Sequence, residues 1–159
     1  MADHAAPGAR LAALWTRLSP LPGGTWVFSR ILGWMVPYTA TIGAHIRELR
    51  PGYARVTLRD RRGIRNHLRS VHAVALTNLG EVTSGLAMLM ALPPGVRSIV
   101  TTLSTEYLKK ARGPLVAECT ATVTEVTGDR DQQVTAEVRD AAGDVVSRTI
   151  ATWRLGWGG

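Results

Sequence analysis

A single carboxylate stands inside a long apolar segment of the chain. Between Ser70 and Val96 the only residue with a formal charge, counting histidine as neutral, is Glu81. Removing a carboxylate from water is costly unless the protein compensates for the charge or uses it. Such a group can act as a general base on a water molecule or attack a substrate directly, and the sequence does not separate these two roles. Glu81 is therefore the first candidate for a catalytic residue.

The segment that carries Glu81 is predicted to be one long helix, from Val71 to Leu92, which a Pro-Pro-Gly sequence ends. It nearly has the length of a membrane span. However, Thr77, Asn78 and Glu81 lie near its middle, and a central acidic residue opposes insertion by about 2.5 to 3.5 kcal/mol. A helix that is apolar on nearly every side must be covered by protein. We expect a central core helix and no transmembrane segment.

Other elements flank this helix. An amphipathic helix is predicted around Leu11, Leu14, Trp15 and Leu18, and a second from Trp26 to Val36 with Thr25 as its N-cap. Alternating apolar and polar residues predict strands at Thr39–Leu49, Tyr53–Arg59, Arg97–Leu108, Leu115–Thr127, Gln132–Asp140 and Val145–Leu155. This order predicts an α+β fold in which a curved antiparallel sheet wraps around the central helix. Residues 1–38 would form a helical extension of a unit spanning residues 39–159.

Length and composition restrict the class of protein. A chain of 159 residues fits one globular domain, and its formal charge of +7 suits an anionic partner. The single Cys119, in an alternating apolar pattern, is expected to be a buried thiol in a reducing compartment. The N-terminal residues lack the apolar core and cleavage site of a secretion signal. We therefore expect a cytoplasmic protein.

Two further kinds of site find little support in the sequence. The four histidines have no ligand spacing with supporting cysteines or carboxylates, so no metal site is predicted. Nucleic-acid binding would rest on the basic charge alone, because there is no zinc-finger pattern, GXXG loop or aromatic RNA-binding pattern. We expect no nucleic-acid partner.

Three residues at fixed spacing give the chain a family resemblance. Asn66 precedes His72 by six residues, and Glu81 follows that histidine by nine. This pattern resembles that of the hotdog-fold acyl-CoA thioesterases, particularly the phenylacetate-pathway type and a related branch of uncharacterised function. The likeness extends to the sequence LSTEYLKKARG at residues 103–113, and in all covers roughly residues 39–155. The resemblance implies a hotdog fold and hydrolysis of acyl-CoA thioesters.

The resemblance also implies roles for the residues at the start of the helix. Asn66 would hold the water or the carbonyl, and the amides near Ala73 and Val74 would stabilise the oxyanion at the positive end of the helix. The family usually has two glycines where this chain has Ala73 and Val74, and side chains there hinder close approach of an acyl carbonyl. A non-catalytic acyl-CoA or lipid-binding module is therefore the alternative function. His72 suits a backbone hydrogen bond at the helix start better than a role as base.

Helix geometry then places the site between two subunits. The nine residues from His72 to Glu81 correspond to about 13.5 Å of rise and about 900° of rotation, which puts the two side chains on opposite faces. If both ends of the helix act on one carbonyl, Glu81 of one subunit must meet Asn66 and Ala73 of a two-fold partner. The expected assembly is a dimer or a dimer of dimers.

Further residues are candidates for contacts with the substrate. Polar or small residues at helical spacing from Glu81 could line a narrow tunnel, and a methionine could contact an acyl tail; these are Thr77, Asn78, Ser84, Gly85 and Met88. Alternatively, Thr and Asn cap the carboxylate for structural reasons alone. Two basic turns could meet the phosphates of coenzyme A through Arg59, Arg61, Arg62, Arg65, Lys109, Lys110 and Arg112. Coenzyme A would enter as part of the substrate, and no cofactor is expected.

Overall fold

Four α-helices, one short 3-10 helix (Arg62–Ile64) and six strands lie within residues 7–157, the part of the chain that the computed structural model describes. The helices are α1 (Pro7–Leu18), α2 (Gly24–Met35), α3 (Pro37–Ala40) and α4 (Ala73–Ala91). The strands are β1 (His45–Arg50), β2 (Tyr53–Leu58), β3 (Val96–Tyr107), β4 (Leu115–Thr120), β5 (Arg130–Arg139) and β6 (Val145–Trp157). All pairings in the single sheet are antiparallel, in the order β1-β2-β4-β5-β6-β3. The predicted α+β class is confirmed.

The long apolar segment forms α4, and the sheet covers it. Most of its residues are buried, and its C-terminal part includes the fully buried Met88. By length and composition alone α4 would also pass as a membrane span, which is weak evidence because a buried core helix passes the same test. The sheet packs against it through β2, β4 and β5, with the edge strands at either end. The apolar surface of α4 is thus covered within the fold.

Two glycines allow α4 to lie close to the sheet. A Cβ atom at Gly80 would lie 2.5 Å from Cβ of Thr149 on β6, closer than non-bonded carbons approach. A Cβ atom at Gly85 would lie 3.1 Å from the ring of Trp153 on the same strand. An added methyl group at Gly80 would therefore push the helix away from the sheet, whereas at Gly85 a shift of the Trp153 ring by a few tenths of an ångström would accommodate it.

The N-terminal helices pack onto the same hydrophobic core as α4. Trp15 of α1 meets Phe28 of α2 edge to face, with ring centroids 5.0 Å apart, and both side chains are buried. The predicted N-cap of α2 is wrong, because Gly23, with φ of 74°, occupies that position. Thr25 instead lies in the first turn, where its Oγ1 atom is 3.1 Å from Nε2 of His45. The division of the chain at residue 38 stays a prediction.

Two predicted strands are shorter than expected. Thr39 and Ala40 belong to α3, whose first residue Pro37 has the fixed φ angle that suits a helix start, so β1 begins only at His45. The strand predicted to reach residue 127 ends at Thr120. Beyond it the Ala121 amide makes one more bond in the same register, to the Gly52 carbonyl, and residues 121–127 then form no strand. The alternating pattern there reflects burial of single residues rather than a strand.

The single cysteine is a core residue, as predicted. Cys119 on β4 is free and buried, and burial raises the pKa of its thiol to about 12. A thiol with so high a pKa stays protonated at neutral pH and is a poor nucleophile. Cys119 therefore serves packing, which leaves Glu81 as the chemically distinctive group of the core.

Candidate active site

Glu81 lies in the wall of a cavity of about 460 Å³ that is bounded by α3, α4 and β3. Its carboxylate makes no hydrogen bond or ion pair with any residue between 7 and 157, and the Ser84 hydroxyl donates to the main-chain carbonyl of Glu81 at 2.8 Å. Burial therefore raises the pKa of the Glu81 carboxyl. The other residues that line the cavity are Val36, Tyr38, Thr39, Val74, Thr77, Asn78, Val100 and Leu103.

Thr77 connects α4 to β3 beside this cavity. Its hydroxyl lies 2.7 Å from the Tyr107 hydroxyl and donates to Oγ1 of Thr105 at 3.1 Å. Asn78 is turned towards α3, where its amide nitrogen donates to the Tyr38 carbonyl at 3.4 Å. Neither side chain caps the Glu81 carboxylate. They hold the walls of the cavity together and leave the acid without a structural partner in the described chain.

His72 occupies the N-cap of α4. Its Nδ1 atom accepts a hydrogen bond from the Val74 amide at 3.1 Å, and its own amide donates to the Ile64 carbonyl at 2.8 Å. The Val74 amide, one of the two proposed oxyanion donors, is thereby occupied. The Ala73 amide has no acceptor among residues 7–157, so of the two proposed oxyanion donors it is the one that remains.

Asn66 and Ala73 share a second cavity, of about 320 Å³, which Glu81 does not line. Oδ1 of Asn66 accepts hydrogen bonds from the amides of Leu68 and Ser70, at 2.9 and 3.2 Å, and so shapes the loop that precedes α4. Lys110 lines the same cavity. Within one subunit the structure thus brings Asn66 and Ala73 together and places Glu81 in a different cavity.

Three residues predicted to bind substrate lie elsewhere. Ser84, Gly85 and Met88 are buried in the core and do not line the Glu81 cavity. Gly85 faces the ring of Trp153, and the Ser84 hydroxyl is used within the helix. The physical reason is the packing of the sheet, which covers α4 after Glu81 so that no open space remains beside these three residues.

The basic turns are only partly available for phosphate binding. Lys109 forms ion pairs with Asp140 and Asp144, at 2.6 and 2.7 Å, and is therefore already compensated. Arg61 donates to the Thr41 carbonyl at 2.7 Å, and Arg112 donates to the Leu68 carbonyl at 3.3 Å. Of the other basic residues in the two turns, Arg65 pairs with Asp60. Arg59, Arg62 and Lys110 have no ion-pair partner in the described residues.

Part of the cavity wall was not predicted from the sequence. Tyr38 comes from α3, and Val100 and Leu103 come from β3. These two strand residues are three apart, and both face α4 because the register of β3 against β6 shifts between Val100 and Thr102. A simple alternation cannot place them on one face, so the sequence carries no clear signal for this wall.

No group of three or more histidine, cysteine, aspartate or glutamate side chains in residues 7–157 is placed to hold a metal ion. The positive charge that the candidate site offers comes from the start of α4 and its Ala73 amide, and from Lys110. The chemistry of the site is therefore that of a carboxylate, a helix end and an apolar cavity.

A curved antiparallel sheet around one long helix that carries a half-buried acid defines a protein of the hotdog-fold class. The chain belongs to the family described as Domain of unknown function (DUF4442), which matches residues 24–155. No curated protein matches the chain significantly in sequence.

Solved structures share this fold. The crystal structure of the protein APC5556 is 30% identical, with a TM-score of 0.82, over 94% of this chain and 99% of that one. The protein PA5026 of Pseudomonas aeruginosa, described as of unknown function and a probable thioesterase, is 21% identical, with a TM-score of 0.73, over 87% and 97%. The thioesterase HI1161 of Haemophilus influenzae is 14% identical, with a TM-score of 0.64, over 76% and 82%.

Proposed function

We propose that the protein hydrolyses acyl-CoA thioesters at a site that two subunits build together. Glu81 of one subunit would be the general base or the nucleophile, and the Ala73 amide of the partner subunit would stabilise the oxyanion. The observation that carries this proposal is the Glu81 carboxylate itself, which lies in a largely apolar cavity without a hydrogen-bond partner in residues 7–157. An acid kept in such a place at a cost in stability is typical of a functional group.

The environment of Glu81 suits proton transfer. A general base works best when its pKa lies near the working pH, and burial moves the pKa of Glu81 upward from 4.5. As general base, Glu81 would take a proton from water while the water oxygen attacks the thioester carbonyl carbon. The resulting oxyanion would accept a hydrogen bond from the Ala73 amide, and its collapse would break the carbon–sulfur bond. The thiolate then takes up the proton, giving a carboxylic acid and free coenzyme A.

The distances along α4 support a site shared by two subunits. Eight residues separate Ala73 from Glu81, a rise of about 12 Å, whereas reacting groups must meet at about 3 to 3.5 Å. Asn66 lies with Ala73 in a cavity that Glu81 does not line. A two-fold axis relating two copies of α4 would bring the acid of one copy to the helix start of the other.

The edge of the sheet supports a place for the second subunit. Within residues 7–157, β3 is an edge strand of 12 residues that pairs only with β6, so the backbone groups of its other side are free to pair. Apolar side chains remain exposed along it, including Ile99 at 65% and Tyr107 at 51%. Because β3 also contributes Val100 and Leu103 to the Glu81 cavity, a copy docked on this edge would lie beside the acid.

The named relatives support the reaction class but not a substrate. PA5026 is described as a probable thioesterase and HI1161 as a thioesterase, and both share the fold of this chain at 21% and 14% identity. At such identity the likeness concerns the fold, and function must be argued from the site. The proposal of a thioester substrate therefore rests on the site and on the spacing of Asn66, His72 and Glu81.

A second function, binding of acyl-CoA or a lipid without hydrolysis, has one observation in its favour. The Val74 amide donates to His72 and is lost as an oxyanion donor. The Val74 side chain is 53% exposed and stands at the cavity where the family usually has glycine. Tight binding of acyl-CoA with no release of thiol would select this function.

Two variants test hydrolysis directly, with release of free thiol from a panel of acyl-CoA substrates as the measurement. Glu81→Gln removes the base, and we expect its kcat to fall by about 100-fold or more. Ala73→Pro removes the free amide at the first residue of α4, where proline is tolerated and His72 already has the extended ψ of 143° that proline requires. Its kcat should fall by about 100 to 1,000-fold. Hydrolysis at the wild-type rate by either folded variant would refute the proposal.

A further inference from the structure

A second cleft of about 630 Å³ lies between α2 and the edge of the sheet at β1 and β2. It shares no lining residue with the Glu81 cavity, and α3 lies between the two. Helix α2 supplies Trp26, Arg30 and Trp34 to one wall. Arg47 and Arg59 line the cleft from the sheet side. Of these five residues only Arg59 is among the candidates for contact with coenzyme A, and none of the five lines the Glu81 cavity.

The positive charge of this cleft is not compensated within residues 7–157. Arg30, Arg47 and Arg59 line it, no carboxylate does, and none of the three arginines forms an ion pair in the described chain. Glu48 and Asp60, the acids next to two of them in sequence, each pair with another arginine at 2.7 and 2.6 Å. Three arginine side chains that line one cleft repel one another unless an anion lies between them.

The histidine of the cleft responds to this excess charge. Burial lowers the pKa of His45, and the positive charge of Arg47 lowers it further. The imidazole is therefore neutral at pH 7, and its Nε2 atom lies 3.1 Å from the Thr25 hydroxyl. Arg47 is held at the cleft by Thr57, whose hydroxyl accepts a hydrogen bond from its Nε atom at 3.1 Å. That bond uses Nε and leaves the terminal nitrogens of Arg47 without a partner among residues 7–157.

Two indole rings give the cleft flat apolar surfaces. Trp26 is 59% exposed and Trp34 is 83% exposed, although tryptophan is usually well buried. They are eight residues apart on α2, about 12 Å along the helix axis. The Arg30 guanidinium lies 5.8 Å from the centre of the Trp26 ring. Cationic and aromatic groups thus alternate along one wall.

We infer that this cleft is a binding site for a phosphorylated ligand with a planar ring, of the nucleotide class. Guanidinium groups match phosphate oxygens in charge and geometry, and an indole face stacks on a heterocyclic ring. The volume lies within the range of about 300 to 1,000 Å³ that is usual for small-molecule sites. The arginines stand on both walls of a concave space, which suits a compact dianion better than a flat lipid surface.

Titration calorimetry of the full chain with ADP, inorganic pyrophosphate and phosphatidylglycerol vesicles tests this site. ADP should bind at least about tenfold more tightly than pyrophosphate, because only ADP can stack. Arg47→Gln should weaken ADP binding by about tenfold or more. Trp34→Ala should weaken the binding of ADP but not the binding of pyrophosphate. Arg17→Gln is the matched control, since Arg17 is an exposed arginine of α1 that does not line the cleft, and it should bind ADP like the wild type.

Two results would overturn the inference. One is equal ADP affinity in the wild type, Arg47→Gln and Arg17→Gln. The other is binding to the vesicles alone, which would make the surface a lipid contact. Because the cleft and the Glu81 cavity have no residue in common, Glu81→Gln should bind ADP with unchanged affinity, so this test is independent of hydrolysis.

Discussion

The imidazole Nδ1 atom of His72 accepts a hydrogen bond from the Val74 amide at 3.1 Å, so the histidine of the family pattern caps the helix that carries the acid. A side chain that accepts this bond satisfies one of the free amides at a helix start. This hydrogen bond also requires an unprotonated Nδ1 atom. A general base that took up a proton at Nδ1 would lose the bond. The structure thus favours a positioning role for His72.

Substitution of His72 separates this role from catalysis. Asparagine is a good N-cap and alanine is not. We expect His72→Asn to retain thermal stability and thioester hydrolysis within a few-fold, and His72→Ala to lose about 0.5 to 2 kcal/mol of unfolding free energy. Urea unfolding and the pH profile of kcat are the measurements. A kcat for His72→Asn that falls as far as that of Glu81→Gln would show instead that the imidazole takes part in proton transfer.

The pH dependence of stability follows from the burial of Glu81. The pKa of its carboxyl is raised above 4.5 by burial, so the folded protein binds this proton more tightly than the unfolded chain does. The stabilisation of the protonated form is complete below pH 4.5 and is lost as the pH rises through the raised pKa. Glu81→Gln, which stays neutral, should be more stable than the wild type at pH 8 and similar to it at pH 4. Equal stabilities at both pH values would contradict the burial of an unpartnered carboxylate.

The close approach of α4 to β6 at Gly80 gives a prediction about packing. Gly80→Ala places a methyl group against Thr149 and should lower the unfolding free energy by about 1 to 3 kcal/mol, although alanine is the better helix former. Gly128→Ala is the control, because nothing lies within 4 Å of its added Cβ atom. Chemical unfolding of both variants measures the difference. A Gly80→Ala protein as stable as the control would mean that the helix can move away freely.

The spacing of apolar residues predicted the elements in which one face, or nearly every face, is buried. The apolar segment became α4, and the hairpin of β1 and β2 forms around the turn at Pro51 and Gly52. The alternation of apolar residues wrongly predicted a strand where side chains are buried but the backbone does not pair with a neighbouring strand. Ala121 is buried in phase with Ala117 and Cys119, yet the strand has already ended at Thr120.

The cavity around Glu81 was only half predictable. Val74, Thr77 and Asn78 follow from helical spacing, since they share a face of α4 with the acid. Tyr38 and Leu103 do not, because one comes from a four-residue helix in a segment that reads as a strand and the other depends on a shift of strand register. Both are set by tertiary packing, which a single sequence does not display.

The shared site makes a last prediction about mixtures of inactive variants. Ala73→Pro keeps its acid and Glu81→Gln keeps its amide, so a dimer with one chain of each has one complete site if the site lies between subunits. We expect homodimers of either variant to be nearly inactive. Unfolding and refolding them together in equal amounts should restore about a quarter of the wild-type activity, since about half of the dimers are mixed and each has one of two sites intact.

The same mixture distinguishes a shared site from a site within one subunit. If Glu81 acted with the Ala73 amide of its own chain, every chain in the mixture would lack one of the two groups, and refolding would restore nothing. Mixing without unfolding is the control for exchange of subunits, and refolded wild type sets the full rate. We expect restored activity, because the acid and the amide of one chain are about 12 Å apart along the helix axis, too far to act on one carbonyl carbon.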